Sequence, residues 1–358
     1  MKKTILLIVT IFITAIGNAQ IVNIPDANFK SYLVGRSDIN TNGDNEIQVS
    51  EAQSFNGLID VTYRDITDLT GIESFINLRD LNITHNNISN INLSSNTALE
   101  SFTALYCQLT DLDISNNSQL TYLNCGHNNI QNINTTNASN LLQLYCHSNQ
   151  IQNLDLTTNT SLIELSCTNN NIISLDVDNN INLTKLHCNF NDLNSLNLSQ
   201  NINLTKLICS DNPNLSYINL KNGNNANLDV SGSYYSSQFD NLPNLQDVCV
   251  DALNTNLTNY IISETGHNVN FYTDCSLASV DNDNLATFDI FPNPAKNNFS
   301  IKTEQEINSI SIYNGAGQLL IYRENTKEID ISKLSKGIYF VKISTKNQGV
   351  AMQKIIKE

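Results

Sequence analysis

Along the middle of the chain, apolar residues return at a fixed spacing. Leu78, Leu99, Leu120, Leu141, Leu162, Leu183 and Leu204 stand 21 residues apart. Three residues after each comes a second apolar position (Leu81, Phe102, Leu123, Leu144, Leu165, Leu186, Leu207). Two further on comes a third (Ile83, Ala104, Cys125, Cys146, Cys167, Cys188, Cys209). This alternation predicts a short strand with one face inward. Three residues beyond the third column stand Asn86, Cys107, Asn128, Asn149, Asn170, Asn191 and Asn212. An inward Asn there bonds backbone groups that neighbouring turns would otherwise bury unpaired. A second apolar pair recurs late in the repeats, as in Leu112 and Ile114, Leu154 and Leu156, Leu175 and Val177, and Leu196 and Leu198, and closes the opposite wall. One such unit cannot bury its apolar edge alone, so the units must stack.

These columns form the leucine-rich pattern L-x-x-L-x-L-x-x-N/C-x-L, and residues 66–89 resemble the internalin-like bacterial branch of that family. The resemblance implies an α/β-type leucine-rich-repeat solenoid with a parallel sheet on its concave face, an irregular convex side and a curved binding scaffold. The expected solenoid covers residues 58–248, with an N-terminal cap over 20–57 and a C-terminal cap over 249–277. After Leu204 the register slips, because Ile218 and Leu220 fall one residue late. That slip predicts the end of the array, followed by a Gly, Asn and Ser rich stretch at 222–237 and a last atypical strand at 245–250.

From Asp289 the pattern changes to short alternating strands at 299–301, 307–313, 319–322, 338–343 and 350–356, with turn residues between them. This predicts a small all-β, immunoglobulin-like antiparallel sandwich over 288–358, joined by a linker at 278–287. Phe291-Pro292-Asn293-Pro294, Ile312-Tyr313-Asn314 with Gly317, Leu334-Ser335-Lys336-Gly337-Ile338-Tyr339 and Lys354-Ile355-Ile356-Lys357 resemble, in order, the type A sorting domain of the type IX secretion system. The resemblance implies that outer-membrane secretion machinery engages 288–358, which is commonly removed after export, and that the cargo is released or attached to surface polysaccharide.

The other end of the chain agrees with export. Lys2 and Lys3, an apolar run at 5–16 and then Gly17, Asn18 and Ala19 read as a cleavable signal peptide over 1–19. No later segment approaches the roughly 20 apolar residues of a membrane helix, so no transmembrane segment is expected, and the protein is placed outside the cell or on its outer surface. Charge divides along the chain. Residues 20–287 hold 7 Lys plus Arg against 27 Asp plus Glu, a balance of −20, while 288–358 hold 10 against 7, a balance of +3. Affinity for nucleic acid rests on basic groups neutralising phosphates, which the acidic part lacks.

Eight cysteines in an exported chain invite a disulfide framework. Five of them, however, form the inward column and Cys107 replaces a ladder Asn, so these six read as small buried hydrophobes. Cys249 and Cys275 lie outside the column and are expected to form one disulfide across the terminal cap. In the N-terminal cap, a short helix holding Phe29, Tyr32 and Leu33 precedes a loop and a second short helix from Glu51. Asn40, Asn42, Asp44, Glu46 and Glu51 fall at spacings that resemble an EF-hand calcium loop, departing from it where Asn40 replaces Asp and Asn45 replaces Gly. Two readings stand for this loop. One is a weak Ca2+ site; the other is an Asn and Gly turn leading into a helix capped by Ser50 with Gln53 three residues on. No other cofactor is expected.

Outward positions of the concave sheet hold a biased set that includes His85, His187 and Phe190. Leu105, Tyr106, Tyr122, His127, Tyr145 and His147 are expected to form one contiguous ligand-binding patch, because exposed aromatic residues on a rigid sheet favour partner contact. No His-Glu-x-x-His helix, phosphate-binding Gly loop or identifiable triad accompanies them, so no catalytic residue is assigned and no enzyme is expected. The resulting reading is a recognition module that binds a protein or glycan through the concave face. The alternative is a structural adhesin or matrix component without a single specific ligand.

Overall fold

The computed structural model describes residues 20–233, 236–275, 289–303, 306–314, 319–345 and 350–358. The expected signal peptide and linker lie outside the described residues. The chain forms two compact units that divide between Phe271 and Tyr272.

In the first unit, the strands Leu58–Asp60, Asp80–Asn82, Ser101–Thr103, Tyr122–Asn124, Gln143–Tyr145, Glu164–Ser166, Lys185–His187 and Lys206–Ile208 make one eight-stranded parallel sheet. Each residue pairs with its equivalent one coil on, as Leu123 does with Leu144 and Leu144 with Leu165. The 21-residue period therefore becomes a stack of in-register columns. The three inward columns read from the sequence are buried throughout. The opposite wall holds a parallel pair, Asp111–Asp113 with Asn132–Asn134, and further on Ser195–Asn197, Tyr217–Asn219 and Asp247–Cys249, also parallel.

Burying that many strand ends obliges the solenoid to satisfy its backbone groups from within. The asparagine column does so. In Asn170, Nδ2 donates to the carbonyls of Cys146, Cys167 and Thr168 at 3.1, 3.0 and 3.3 Å, while Oδ1 accepts from the Ile151 N–H at 3.0 Å. Asn86, Asn128, Asn149, Asn191 and Asn212 repeat the pattern. Cys107 keeps part of it: its thiol donates to the Ile83 carbonyl at 3.1 Å, the place an Asn amide would fill.

A second asparagine column, three residues before the anchoring leucines, was not read from the sequence. Nδ2 of Asn180 donates to the carbonyls of Leu156 and Asn159, and Nδ2 of Asn201 to those of Val177 and Asn180. Here Oδ1 of Asn96, Asn117, Asn180 and Asn201 is buried without a hydrogen-bond partner. Asn159 differs, because the Thr135 hydroxyl lies 2.8 Å from its Oδ1. Thr135 interrupts a column that is otherwise aliphatic (Leu93, Ile114, Leu156, Val177, Leu198).

The register slip after Leu204 marks a lengthened coil, which corrects the expectation that the array ends there. Ile208 bridges Gln238, thirty positions on, and the N–H groups of Cys209 and Asp211 donate to the carbonyls of Gln238 and Asp240. The stack thus continues beyond the polar stretch, whose first part stays bonded to the preceding coil, the Asp229 N–H donating to the Thr205 carbonyl and the Asn222 side-chain amide to that of Asn201.

In the N-terminal cap, the helix Ala27–Val34 starts at Asp26, whose carboxylate accepts from the N–H groups of Asn28 and Phe29. The second helix, Val49–Ser54, begins earlier than expected. Its N-cap is Gln48 and not Ser50, because the Glu51 carboxylate reaches back to the Gln48 N–H at 3.0 Å.

The second unit is antiparallel. Asp289–Phe291, Asn298–Lys302 and Glu328–Asp330 form one sheet; Leu319–Glu324, Ile307–Tyr313, Gly337–Thr345 and Val350–Lys357 form another. Phe299, Ile301, Ile310, Ile312, Val341, Ile343 and Ile355 fill its core. Two motifs distant in sequence meet here. Asn293 Nδ2 donates to the Lys354 carbonyl at 2.9 Å, and its Oδ1 accepts the Ile356 N–H at 3.0 Å.

Candidate binding face

The seventh residue after each anchoring leucine leaves the strand and turns left-handed. Tyr63, His85, Tyr106, His127, Ser148, Asn169, Phe190 and Asp211 all have φ between 54 and 56°. Such a backbone suits Gly, Asn or Asp and is costly for larger side chains. The first four of these residues are nonetheless ring-bearing, and their rings stack in one file. Tyr63 lies 4.1 Å from His85, His85 4.5 Å from Tyr106, and Tyr106 4.3 Å from His127, with interplanar angles of 11, 9 and 7°. The file ends in an edge-to-face contact, His127 against His147, at 5.0 Å and 88°.

His147 stands at the sixth position and leans back over Gly126. A Cβ on residue 126 would sit 2.5 Å from the His147 Nε2, so the glycine is what lets the ring lie there. Burial first, and the His127 imidazole second, hold His147 below the usual histidine range. Tyr122 and Tyr145 form a separate pair nearer the strand centres, 5.7 Å apart and tilted by 51°. Burial, and then the Glu164 carboxylate, push Tyr145 up to about 12, so it remains a hydroxyl donor at neutral pH. Leu105, two coils before His147 in the same column, is half-buried.

Five of the six residues read as one patch thus fall into two sets, and Leu105 belongs to neither. Tyr106, His127 and His147 belong to the ring file, and Tyr122 and Tyr145 to the tilted pair. Tyr63 and His85 complete the file and were not among the six. Tyr63 is 70% exposed. It escaped because its coil lacks an anchoring leucine, Asn56 standing at that position. Aligning Ile59 and Val61 with Leu81 and Ile83 would have placed it.

Further along the same face, His187 is held down to about 4, first by burial and then by Lys206. Its Nε2 is buried without a partner. Lys185 pairs with Glu164 at 3.1 Å beside it.

In the N-terminal loop, Glu51 Oε1 accepts from the Thr41 N–H, the Thr41 hydroxyl and the Asn42 N–H at 2.7, 2.9 and 3.1 Å. Asp44 accepts from the Glu46 N–H and from the side-chain amides of Asn42 and Gln48. Asn40 donates to the carbonyls of Val34 and Asp44. Among the described residues, no group of three or more His, Cys, Asp or Glu is placed to hold a metal ion. Cys249 and Cys275 are disulfide-bonded, and the six column thiols are free and buried. Burial pushes Cys107 up to about 11 and Cys125 and Cys167 up to about 12, which removes their thiolate reactivity at neutral pH.

Residues 289–358 match the family model of the secretion system C-terminal sorting domain. The second unit is that sorting domain. The sorting domain marks the chain for secretion to the cell surface or beyond, and among the described residues no helix is long and apolar enough to cross a membrane. A comparison with curated proteins found no match. Among solved structures, the chain is similar to a leucine-rich-repeat protein of Leptospira interrogans (23% identity, TM-score 0.46), over 56% of this chain and 56% of that one. The chain therefore spans little more than half of that relative. It is also similar to an internalin C2 of Listeria monocytogenes (22% identity, TM-score 0.41, 59% of this chain and 96% of that one). A secreted internalin-like protein of Listeria monocytogenes aligns over 92% of this chain and 94% of its own at 15% identity and a TM-score of 0.40. The first unit is a leucine-rich-repeat solenoid by its in-register 21-residue coils, and the sorting domain follows it along the chain.

Proposed function

We propose that this protein is an exported recognition module whose solenoid binds a surface or extracellular partner through the outward, concave side of the eight-stranded sheet, and that type IX secretion delivers it. The observation that carries the reading is the ring file. Tyr63, His85, Tyr106 and His127 occupy a backbone conformation that favours Asn, and they place polar ring edges in solvent. Folding gains little from that choice, whereas binding gains rigid amphipathic contact area at low entropy cost.

Delivery rests on the sorting domain, with residues 288–358 as the segment that meets the outer-membrane machinery. The reading requires no catalysis and no cofactor. Calcium at the 40–51 loop would act only on the cap.

Binding of the purified protein to glycan and surface-protein arrays tests the reading, beside the variant Tyr106→Asn/His127→Asn. Discrete binding by the wild type that the variant loses supports it. Binding that the variant keeps contradicts it and favours a structural adhesin.

A further inference from the structure

The outward face carries a charge pattern that its ring file does not explain. Five successive coils, anchored by Leu78, Leu99, Leu120, Leu141 and Leu162, have no Asp, Glu, Lys or Arg at the fourth, sixth, seventh or ninth residue after the anchor, and at the second they carry charge only in Asp80 and Glu164. The chain as a whole carries −15. Charge returns at both ends of the band, at Asp60 and Asp65 in the coil before it and at Asp192 in the coil after. Long-range repulsion would keep an acidic ligand away from such a molecule. A basic one would find carboxylates only at the second positions, where Glu164 already pairs with Lys185 at 3.1 Å and Asp80 lies near Arg79, and desolvating an unpaired charge is costly.

What the band offers instead is hydroxyls, side-chain amides and ring edges. Stacking at 4.1 to 4.5 Å turns the faces of His85 and Tyr106 onto their neighbours, so these rings meet a ligand edge-on. Side-chain polar groups already bond across coils, as Gln108 does to Asn87 and Asn169 to Ser148. Leu105 is the single aliphatic residue at those positions of the five coils. A protein partner needs an apolar, desolvated centre with pockets for anchors, and this band has none.

We infer that the uncharged band takes a neutral oligosaccharide chain, a ligand rich in hydroxyls and free of ionised groups, laid across successive coils. This rests on the reading that the outward face is the binding site. Adjacent strands repeat at about 4.8 Å, close to the length of one pyranose unit in an extended glycan, so each coil addresses one sugar. The tilted pair Tyr122 and Tyr145 supplies the aromatic surface for sugar C–H groups, and the edges of Tyr106 and His127 supply the polar contacts.

Affinity electrophoresis of the purified protein tests the assignment. Native gels would contain dextran, mannan, xylan or a β-glucan as neutral probes, and alginate or hyaluronan as acidic ones. The expected result is retardation in at least one neutral gel and in neither acidic gel. Tyr106→Asn/His127→Asn should migrate as in an empty gel, and Gly126→Ala, which displaces His147, should weaken retardation about tenfold in apparent Kd, the loss of one anchor. Retardation only in acidic gels, in none, or equally in the double variant overturns the inference. If no neutral gel retards the protein while array binding to a protein is lost in the same variant, the outward face remains the site and only the glycan assignment fails. Array binding that the variant keeps overturns both.

Discussion

Two neighbouring positions of every coil obey opposite rules. The eighth residue after the anchoring leucine is Asn or Cys in each repeat, and its side chain is enclosed and bonded to its own coil and the preceding one. The seventh has the same left-handed backbone in each repeat yet holds His, Tyr, His, Ser, Asn, Phe and Asp in turn. The fold therefore dictates the eighth side chain and only the backbone of the seventh. At the seventh position Ser148, Asn169 and Asp211 show what the conformation accepts readily, and the run of four rings stands out against them. A residue that the fold does not require, held at some conformational cost, is where function is best sought.

The sharpest way to break this contrast is to attack the eighth position. Asn170→Ala removes a buried amide that satisfies three carbonyls and one N–H. It should lower stability by about 3 kcal/mol, read as a shift in the urea midpoint. A loss under about 1 kcal/mol would mean that the column is not the support described here.

The second asparagine column sharpens the contrast, because its oxygens are mostly orphaned. Thr135→Val would leave Asn159 Oδ1 like its neighbours and should cost about 1 kcal/mol. The converse change, Val177→Thr, puts a hydroxyl where Asn201 Oδ1 lacks a partner. Placing Thr in an apolar core ordinarily costs ~1 to 3 kcal/mol; here urea unfolding should show a change within about 0.5 kcal/mol. An ordinary penalty would show that the geometry at Asn159 does not transfer.

A smaller effect concerns His187. Its folded value near 4 lies below the ordinary 6.5, so between these pH values the unfolded chain binds the proton and the folded chain does not. Stability must then fall as pH falls from 6.5 towards 4. His187→Gln should flatten the fall in Tm across that window relative to wild type. Identical slopes would count against a buried neutral imidazole.

Most of the solenoid was legible in the sequence, because a strict 21-residue period forces equivalent residues into register and leaves little choice of topology. Cys107 was legible as a substitute in the ladder, though its thiol hydrogen bond was not. The polar stretch at 222–237 was misleading, since an insertion and an ending both break a period. The start of the second helix was missed by two residues, because the capping interaction of Glu51 with Gln48 depends on where the loop places the carboxylate. In the sorting domain, the strands Asp289–Phe291 and Glu328–Asp330 are too short to show alternation. At the binding face the residue types were visible but their grouping was not. Whether a seventh-position side chain stacks depends on the sign of φ, and Tyr63 lies in a coil without an anchoring leucine.

The claim that matters most is that the ring file serves a partner and not the fold. The variant Tyr63→Asn/His85→Asn/Tyr106→Asn/His127→Asn tests it directly when its Tm and its array binding are measured together. Asn suits the left-handed backbone, and each lost stacking contact is worth only about 1 kcal/mol. Binding should be abolished while Tm falls by a few degrees at most. A Tm lowered by many degrees with binding retained would make the rings structural and contradict it.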